Sequence, residues 1–169
     1  TLAGVLATLE ASGQLPVRNV HNDAKISNVL FDQSSHDVLC VVDLDTVMPG
    51  LSLHDFGDMV RSMATRAGEE EVDLTQVEID LEMFEALASG FLEATQRFLT
   101  PCERQHLLTA GQVITFEQSV RFLTDFIQGD PYYKTQHPRH NLERCRNQNR
   151  LLESIEQQAD RMQECIKGG

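Results

Sequence analysis

Residues 21–28 read His-Asn-Asp-Ala-Lys-Ile-Ser-Asn, and Asp43 and Asp45 follow a little further on. A carboxylate such as Asp23 can accept the proton of an attacking hydroxyl. The amide oxygen of Asn28 and the carboxylate of Asp43 are hard-oxygen ligands that can hold Mg²⁺ against nucleotide phosphates. Magnesium keeps several of its waters, so few protein ligands suffice. The chemistry this set supports is phosphoryl transfer. A plain solvated hairpin is the competing reading, and it is accepted for Asp32, Ser34, Ser35 and Asp37 only.

Such a site needs elements that bring its parts together. Val29–Phe31 and Val38–Val42 are apolar and separated by the polar run Asp32–Asp37, which predicts a β-hairpin. Pairing sets Asn28, just before one strand, beside Asp43, just after its partner. Val17–Val20 is a third short apolar segment. Upstream, Leu2, Val5, Leu6 and Leu9 at helical spacing, stopped by Gly13, predict a short amphipathic helix already in mid-course at Thr1. After Pro49-Gly50 the pattern is helical to the end.

Asp55 is expected to cap a helix carrying Phe56, Met59, Val60 and Met63, and Asp58 to pair with Arg61. Gly68-Glu69-Glu70-Glu71 reads as a solvated acidic break. Ile79 to Phe98 marks a long amphipathic helix. Thr100-Pro101-Cys102-Glu103 is a capping box with proline at the first helical position. The helix it opens, to about Phe126, is apolar on most sides and is expected in the middle of the fold. The final helix should start near Pro138 and bury Leu142, Cys145, Leu152, Ile155, Ala159, Met162 and Ile166. The fold class is therefore α+β, mostly α-helical: one domain, residues 1–169, a helical bundle with a small β patch that carries the polar cluster.

The chain has 169 residues with a formal net charge of −12, which makes double-stranded nucleic acid an unlikely partner. A small phosphate ligand stays open, because a divalent cation reverses the local sign. The longest purely apolar run is Val38–Val42, too short to span a bilayer, and no secretory signal opens the chain. Cys40, Cys102, Cys145 and Cys165 show no C-x-x-C spacing and read as packed, reduced thiols of a cytoplasmic protein.

His21-Asn22-Asp23 with Asn28, and Asp43-Leu44-Asp45, resemble the catalytic loop and metal segment of the aminoglycoside phosphotransferase and choline kinase group, whose fold is protein-kinase-like. Val42–Gly50, Asp55-Phe56-Gly57-Asp58, Asp130–Lys134 and His137–Leu142 resemble more closely still the N-acetylhexosamine 1-kinases. The resemblance covers nearly the whole chain. It implies catalytic loop 21–28 and metal segment 43–45, with ATP and Mg²⁺ as cofactors. Asp23 is then the base, Asn28 and Asp43 the metal ligands, and Asp45 a support for the metal or its waters. His21 holds the loop through backbone hydrogen bonds. Lys25 stands where protein kinases carry a lysine that reaches the transferred phosphate, although many aminoglycoside phosphotransferases have histidine there; a solvated loop cation is the alternative. Asp55-Phe56-Gly57 spells the protein-kinase metal motif but lies past the Pro49-Gly50 loop, so Asp55 and Asp58 are expected to be structural.

Tyr132, Tyr133, Lys134, Arg139, His140 and Asn141 could line an acceptor site, since aromatic faces stack on sugar rings, or could form a loop-to-helix junction with Tyr133 packed inside. The resemblance also implies an N-terminal lobe with a Gly-rich loop and a strand lysine, and neither is in this sequence. The expectation is a kinase C-terminal lobe that is inactive alone and exposes an apolar face where its N-terminal lobe would dock, a face that could also drive self-association. The expected activity of the longer chain is phosphorylation of the anomeric hydroxyl of an N-acetylhexosamine. An aminoglycoside or other small-alcohol acceptor, and a non-catalytic kinase-like binding module, are the alternatives.

Overall fold

The computed structural model describes residues 2–168; Thr1, where the first predicted helix was to be already under way, lies outside them. A 3₁₀ turn, Leu2–Gly4, leads into α1 (Val5–Ala11), which ends before Gly13 at φ +74°. Two antiparallel ribbons follow. β2 (Val29–Phe31) pairs with β3 (Val38–Val41) in the predicted hairpin, with Val29 opposite Val41 and a register shift between Leu30 and Phe31. β1 (Arg18–Val20) pairs with β4 (Met48–Gly50), Arg18 opposite Gly50 and Val20 opposite Met48. β4 is a strand the sequence does not announce: three residues ending in Pro-Gly read as a break, and only the partner strand makes them extended.

The rest is helical: α2 (Ser52–Met63), α3 (Leu81–Thr95), α4 (Pro101–Gln105), α5 (Leu107–Ile127), α6 (His140–Gln157) and α7 (Ala159–Gly168). The fold is thus α+β and mostly helical, as the sequence predicts. α5 packs on α2 and α6, and α3 packs on α7. Leu53, Phe56 and Val60 of α2 meet Phe84 and Ala88 of α3, Leu107 and Ala110 of α5, Leu151 and Ile155 of α6, and Met162 and Ile166 of α7 in one core. Each of these side chains other than the two alanines contributes about 1.5–3 kcal/mol on burial. Gly57 lets α2 and α5 touch: a Cβ there would lie 2.4 Å from Ile114 Cγ1 and 2.7 Å from the Ala110 carbonyl oxygen.

The capping box forms in both directions. Glu103 N–H donates to Thr100 Oγ1 at 3.2 Å, and Thr100 N–H donates to Glu103 Oε2 at 2.8 Å. The same carboxylate, 1% exposed, takes both terminal nitrogens of Arg18 at 3.0 and 3.2 Å, so the cap of α4 also anchors β1. The helix it opens is not continuous. It breaks at His106, whose Nδ1 lies 2.8 Å from the Cys102 carbonyl oxygen, so a side chain competes for the backbone acceptor one turn back.

Other expectations are corrected. α5 does lie in the middle of the fold, between α2 and α6, but is not enclosed: Phe116, Val120, Leu123 and Ile127 are exposed, because its neighbours cover only part of its circumference. The last helix starts at His140 and breaks at Gln158, whose amide turns inward to donate to the Ile79 carbonyl at 2.9 Å. Leu142, Leu152 and Ala159 are half-buried, and Leu151 takes the core position instead. Cys40 is exposed, as are all four residues of β3; Cys145 is buried, and Cys102 and Cys165 are half-buried. Among the described residues no helix is long and apolar enough to cross a membrane.

Candidate active site

The 21–28 loop is held from both sides. From α2, Asp55 accepts the backbone N–H of His21 on Oδ2 at 2.9 Å and that of Asn22 on Oδ1 at 2.8 Å. Asp55 is therefore no helix cap, since α2 begins at Ser52 with Leu51 before it; its carboxylate clamps the loop, with Asn22 at φ +60°. Ser62 Oγ accepts Ile26 N–H at 3.2 Å. From the other side, Thr46 Oγ1 donates to the His21 carbonyl at 2.6 Å, and Asn22 Nδ2 donates to the Thr46 carbonyl at 3.3 Å. His21 Nε2 lies 3.2 Å from the Val42 carbonyl oxygen, and its Nδ1 is buried without a partner among the described residues. A carbonyl only accepts, so the ring hydrogen sits on Nε2.

Asp23 Oδ2 accepts Lys25 Nζ at 2.6 Å and Asn28 Nδ2 at 3.0 Å. Burial pushes the Asp23 carboxyl up. The bonds from Lys25 and Asn28, with the charges of Lys25 and Arg61, outweigh it and hold the group below the usual carboxylate value. Asp23 is thus ionised at neutral pH. Its Oδ1 has no protein donor among the described residues, so one carboxylate oxygen is spoken for and the other is open.

Asn28 is nearly buried, and its Nδ2 donates again, to the Asp23 carbonyl at 2.9 Å. That use of the nitrogen fixes the amide's orientation and leaves its oxygen without a protein donor among the described residues. The hairpin brings this amide toward Asp43: Val42 N–H donates to the Asn28 carbonyl at 2.9 Å, one residue before Asp43. Asp43 sits at φ +62°, a left-handed conformation at the head of the 3₁₀ turn Leu44–Thr46, and Asp43 and Asp45 are both exposed. Neither carboxylate is paired with a cation among the described residues. These residues include no converging group of three His, Cys, Asp or Glu. One amide oxygen and one or two carboxylates, completed by water, is a donor set that fits magnesium and not zinc.

Asp23 and Lys25 open onto a cleft of about 470 Å³ whose other walls include Asp58, Arg61, Arg121, Tyr132, Tyr133 and Lys134. Its size falls within the range of small-molecule pockets. The polar cluster of residues 132–141 therefore divides. Tyr132, 73% exposed, and Tyr133 both line the cleft, and Tyr133 also packs on Phe122 with ring centroids 4.8 Å apart. Tyr133 is thus packed inside and also faces the cleft. Burial pushes its hydroxyl pKa up, against Gln118, which donates to the hydroxyl oxygen at 3.2 Å, and against the Arg121 charge. Arg139 is exposed just before α6 and does not line the cleft, and Asn141 is wholly buried.

Several residues of this site carry no sequence signal. Asp125 accepts the N–H groups of Tyr132 and Tyr133, each at 2.9 Å, and Asn141 Nδ2 at 2.9 Å. Arg121 lies 5.9 and 5.8 Å from the centroids of the Tyr132 and Tyr133 rings. Arg61, nearly buried, does pair with Asp58 at 3.2 Å as predicted, but also with Glu69. Burial raises the Asp58 carboxyl; Arg61 offsets it, while Asp23 and Asp55 reinforce it. Glu69 and Glu70 are open to solvent as expected but not unpaired: Glu69 meets Arg61, and Glu70, its side chain 52% exposed, takes both His140 and Arg144. A run of three glutamates shows nothing of partners that lie on another helix.

Residues 1–90, which contain the loop, both ribbons, α2 and Asp55, match the model of a family described as the phosphotransferase enzyme family.

Proposed function

The chain belongs to the phosphotransferase enzyme family, and from that premise we propose that it moves the γ-phosphate of ATP to a hydroxyl of a small molecule, the anomeric hydroxyl of an N-acetylhexosamine. The observation that carries the reading is a juxtaposition. The ionised Asp23 carboxylate shares one cleft with two tyrosine rings and an arginine. A sugar ring stacked on Tyr132 or Tyr133 would have a hydroxyl to offer Asp23, and the open Oδ1 would accept its proton as the oxygen attacks phosphorus.

Lys25, held on Asp23 Oδ2, has the charge to neutralise the transferred group. Asn28 and Asp43, with Asp45 beside them, would hold Mg²⁺, which when bound neutralises charge on the nucleotide phosphates. His21 acts on the loop alone: its Nε2–H is engaged with the Val42 carbonyl and moves no proton.

Arg121 bears on the acceptor. It lies over the tyrosine rings and pairs with no carboxylate among the described residues. An uncompensated guanidinium repels a cationic aminoglycoside and offers donors to hydroxyl or acyl oxygens. That favours an N-acetyl sugar over a polyamine. The acidity of the whole chain, −12, points the other way, but the nearer charge dominates through screening.

The apolar residues Leu30, Phe31, Val38, Leu39, Val41, Leu44, Val47 and Met48 are all exposed around the hairpin. A patch of this kind supports docking of an N-terminal nucleotide lobe, with self-association of the isolated chain as its side effect. In this reading the 169 residues alone bind but do not turn over.

The test joins the chain to its upstream coding sequence and offers Mg·ATP with N-acetylglucosamine, N-acetylgalactosamine or an aminoglycoside. Phosphorus NMR locates any new phosphate, and Asp23→Asn is the control. Phosphate on the anomeric oxygen, abolished by Asp23→Asn with binding intact, is the expected result. Phosphate on the aminoglycoside moves the substrate, and an undiminished rate in Asp23→Asn removes the base.

A further inference from the structure

We propose that Glu70 is a positioning residue for the acceptor side of the cleft, acting through Arg144 and His140 on the Tyr132–Lys134 arch; the inference rests on the reading of that arch as the acceptor wall. The arch lies in the irregular segment between α5 and α6, so its backbone groups have no helix or strand to satisfy them. Three side chains do so. Asp125 takes the N–H of Tyr132 and of Tyr133. Arg144 Nη1 donates to the Lys134 carbonyl at 3.2 Å. His140 Nδ1 accepts the N–H of Gln136 at 3.1 Å.

Two of these three holders converge on Glu70. Arg144 donates through Nε at 2.9 Å and through Nη2 to Oε1, while His140 Nε2 meets Oε2. The imidazole can accept from Gln136 at Nδ1 only if its hydrogen is on Nε2, and the acceptor for that hydrogen is Glu70. The carboxylate therefore selects the tautomer that holds Gln136 and aims the guanidinium that holds Lys134.

Glu70 is itself well anchored. Asn147, 2% exposed, donates through Nδ2 to the carbonyls of Gly68 and Glu71, each at 3.0 Å, and Glu69 reaches across to Arg61 on α2. The 68–71 segment is thus strapped between α6 and α2, directly behind the arch. Glu70 is not among the residues that line the cleft. Its effect is on the fraction of molecules whose arch is formed, which scales the apparent affinity for acceptor.

Composition supplies a clean probe. The chain has two tyrosines, Tyr132 and Tyr133, and no tryptophan, so its tyrosine emission reports on the arch alone. The experiment measures acrylamide quenching of that emission, and its response to N-acetylglucosamine, in the wild type, Glu70→Gln and Glu71→Gln. The Glu71 carboxylate, among the described residues, accepts only the N–H of Asp73, and Glu71→Gln serves as the control. Glu70→Gln should raise quenching, by freeing Tyr133 from Phe122, and weaken N-acetylglucosamine binding by roughly three- to tenfold; Glu71→Gln should do neither. Should Glu70→Gln lose helicity, Arg144→Lys reads the same contact, because one ammonium cannot serve Glu70 and the Lys134 carbonyl together. Unchanged quenching in folded Glu70→Gln and folded Arg144→Lys overturns the proposal. Raised quenching with N-acetylglucosamine binding unaltered leaves the arch contact standing and instead overturns the arch as acceptor wall.

Discussion

Asp55→Asn is the substitution that isolates how the reactive loop is held. The carboxylate accepts two backbone N–H groups, from His21 at 2.9 Å and Asn22 at 2.8 Å. An asparagine of the same shape keeps one acceptor oxygen and turns an NH₂ toward the other N–H. Hydrogen bonds to a charged group contribute about 1.5–3 kcal/mol and neutral ones about 1 kcal/mol, so losing one and weakening the other costs at least about 2 kcal/mol. Asn22 adds to the effect, since its φ of +60° must still be imposed on a residue that would relax elsewhere. Native stability of a domain this size is typically about 5–15 kcal/mol, so the variant should remain folded and open locally. The assay is amide hydrogen exchange resolved to residues 20–28, beside far-UV circular dichroism. The His21 and Asn22 amides should exchange roughly two orders of magnitude faster, at about 1.4 kcal/mol per decade, with helicity unchanged and phosphoryl transfer by the longer chain strongly reduced. Exchange within a factor of two of wild type would show that the loop is held by its own contacts, and the clamp assignment would fall.

Two further outcomes follow from particular contacts. Gly57→Ala should lower stability by about 1–3 kcal/mol, because the new methyl meets Ile114 Cγ1 at 2.4 Å and a backbone oxygen at 2.7 Å that cannot yield without moving α5; thermal melting should show it, whereas Gly90→Ala, with nothing within 4 Å, should be neutral or stabilising. Burial raises the Glu70 carboxyl, but its bonds to Arg144 and His140 lower it more, to below the ordinary 4.5. A depressed folded-state value means the contribution is complete above the ordinary value and is lost as pH falls through the depressed one. Tyrosine quenching should therefore stay flat from neutral pH to about pH 5 and rise only in more acid solution, a step that Glu70→Gln should lack; a rise centred above pH 5 would contradict the pairing.

Much of the fold is local, and local features were legible. The capping box at Thr100–Glu103, the turn at Asp32–Asp37 and the stop at Gly13 are decided by a few neighbouring residues, and the structure has them where the sequence puts them. Where the sequence misleads, a distant partner decides. Met48–Gly50 is a strand only because β1 lies beside it, and α4 and α5 part because the His106 ring takes a carbonyl one turn back. Cys40 and the apolar residues of β3 look like core from their hydropathy, yet all are exposed in a hairpin whose one strand partner is β2.

For the site, the types and spacing of His21, Asp23, Asn28 and Asp43 point to phosphoryl transfer, and the family the chain belongs to is one of phosphotransferases. The partners of those residues were out of reach. Nothing near Asp55 tells that its carboxylate clamps a loop more than thirty residues upstream, and nothing near Glu70 names a histidine and an arginine seventy or more residues further on. A carboxylate's local sequence reports its charge and its helix position; which cation or N–H it meets depends on how α2 and α6 pack against the loops. The sequence by itself pointed to the kind of reaction, and only the tertiary structure decided what holds the 21–28 loop and shapes the cleft, because those contacts join segments that hydropathy and spacing leave independent.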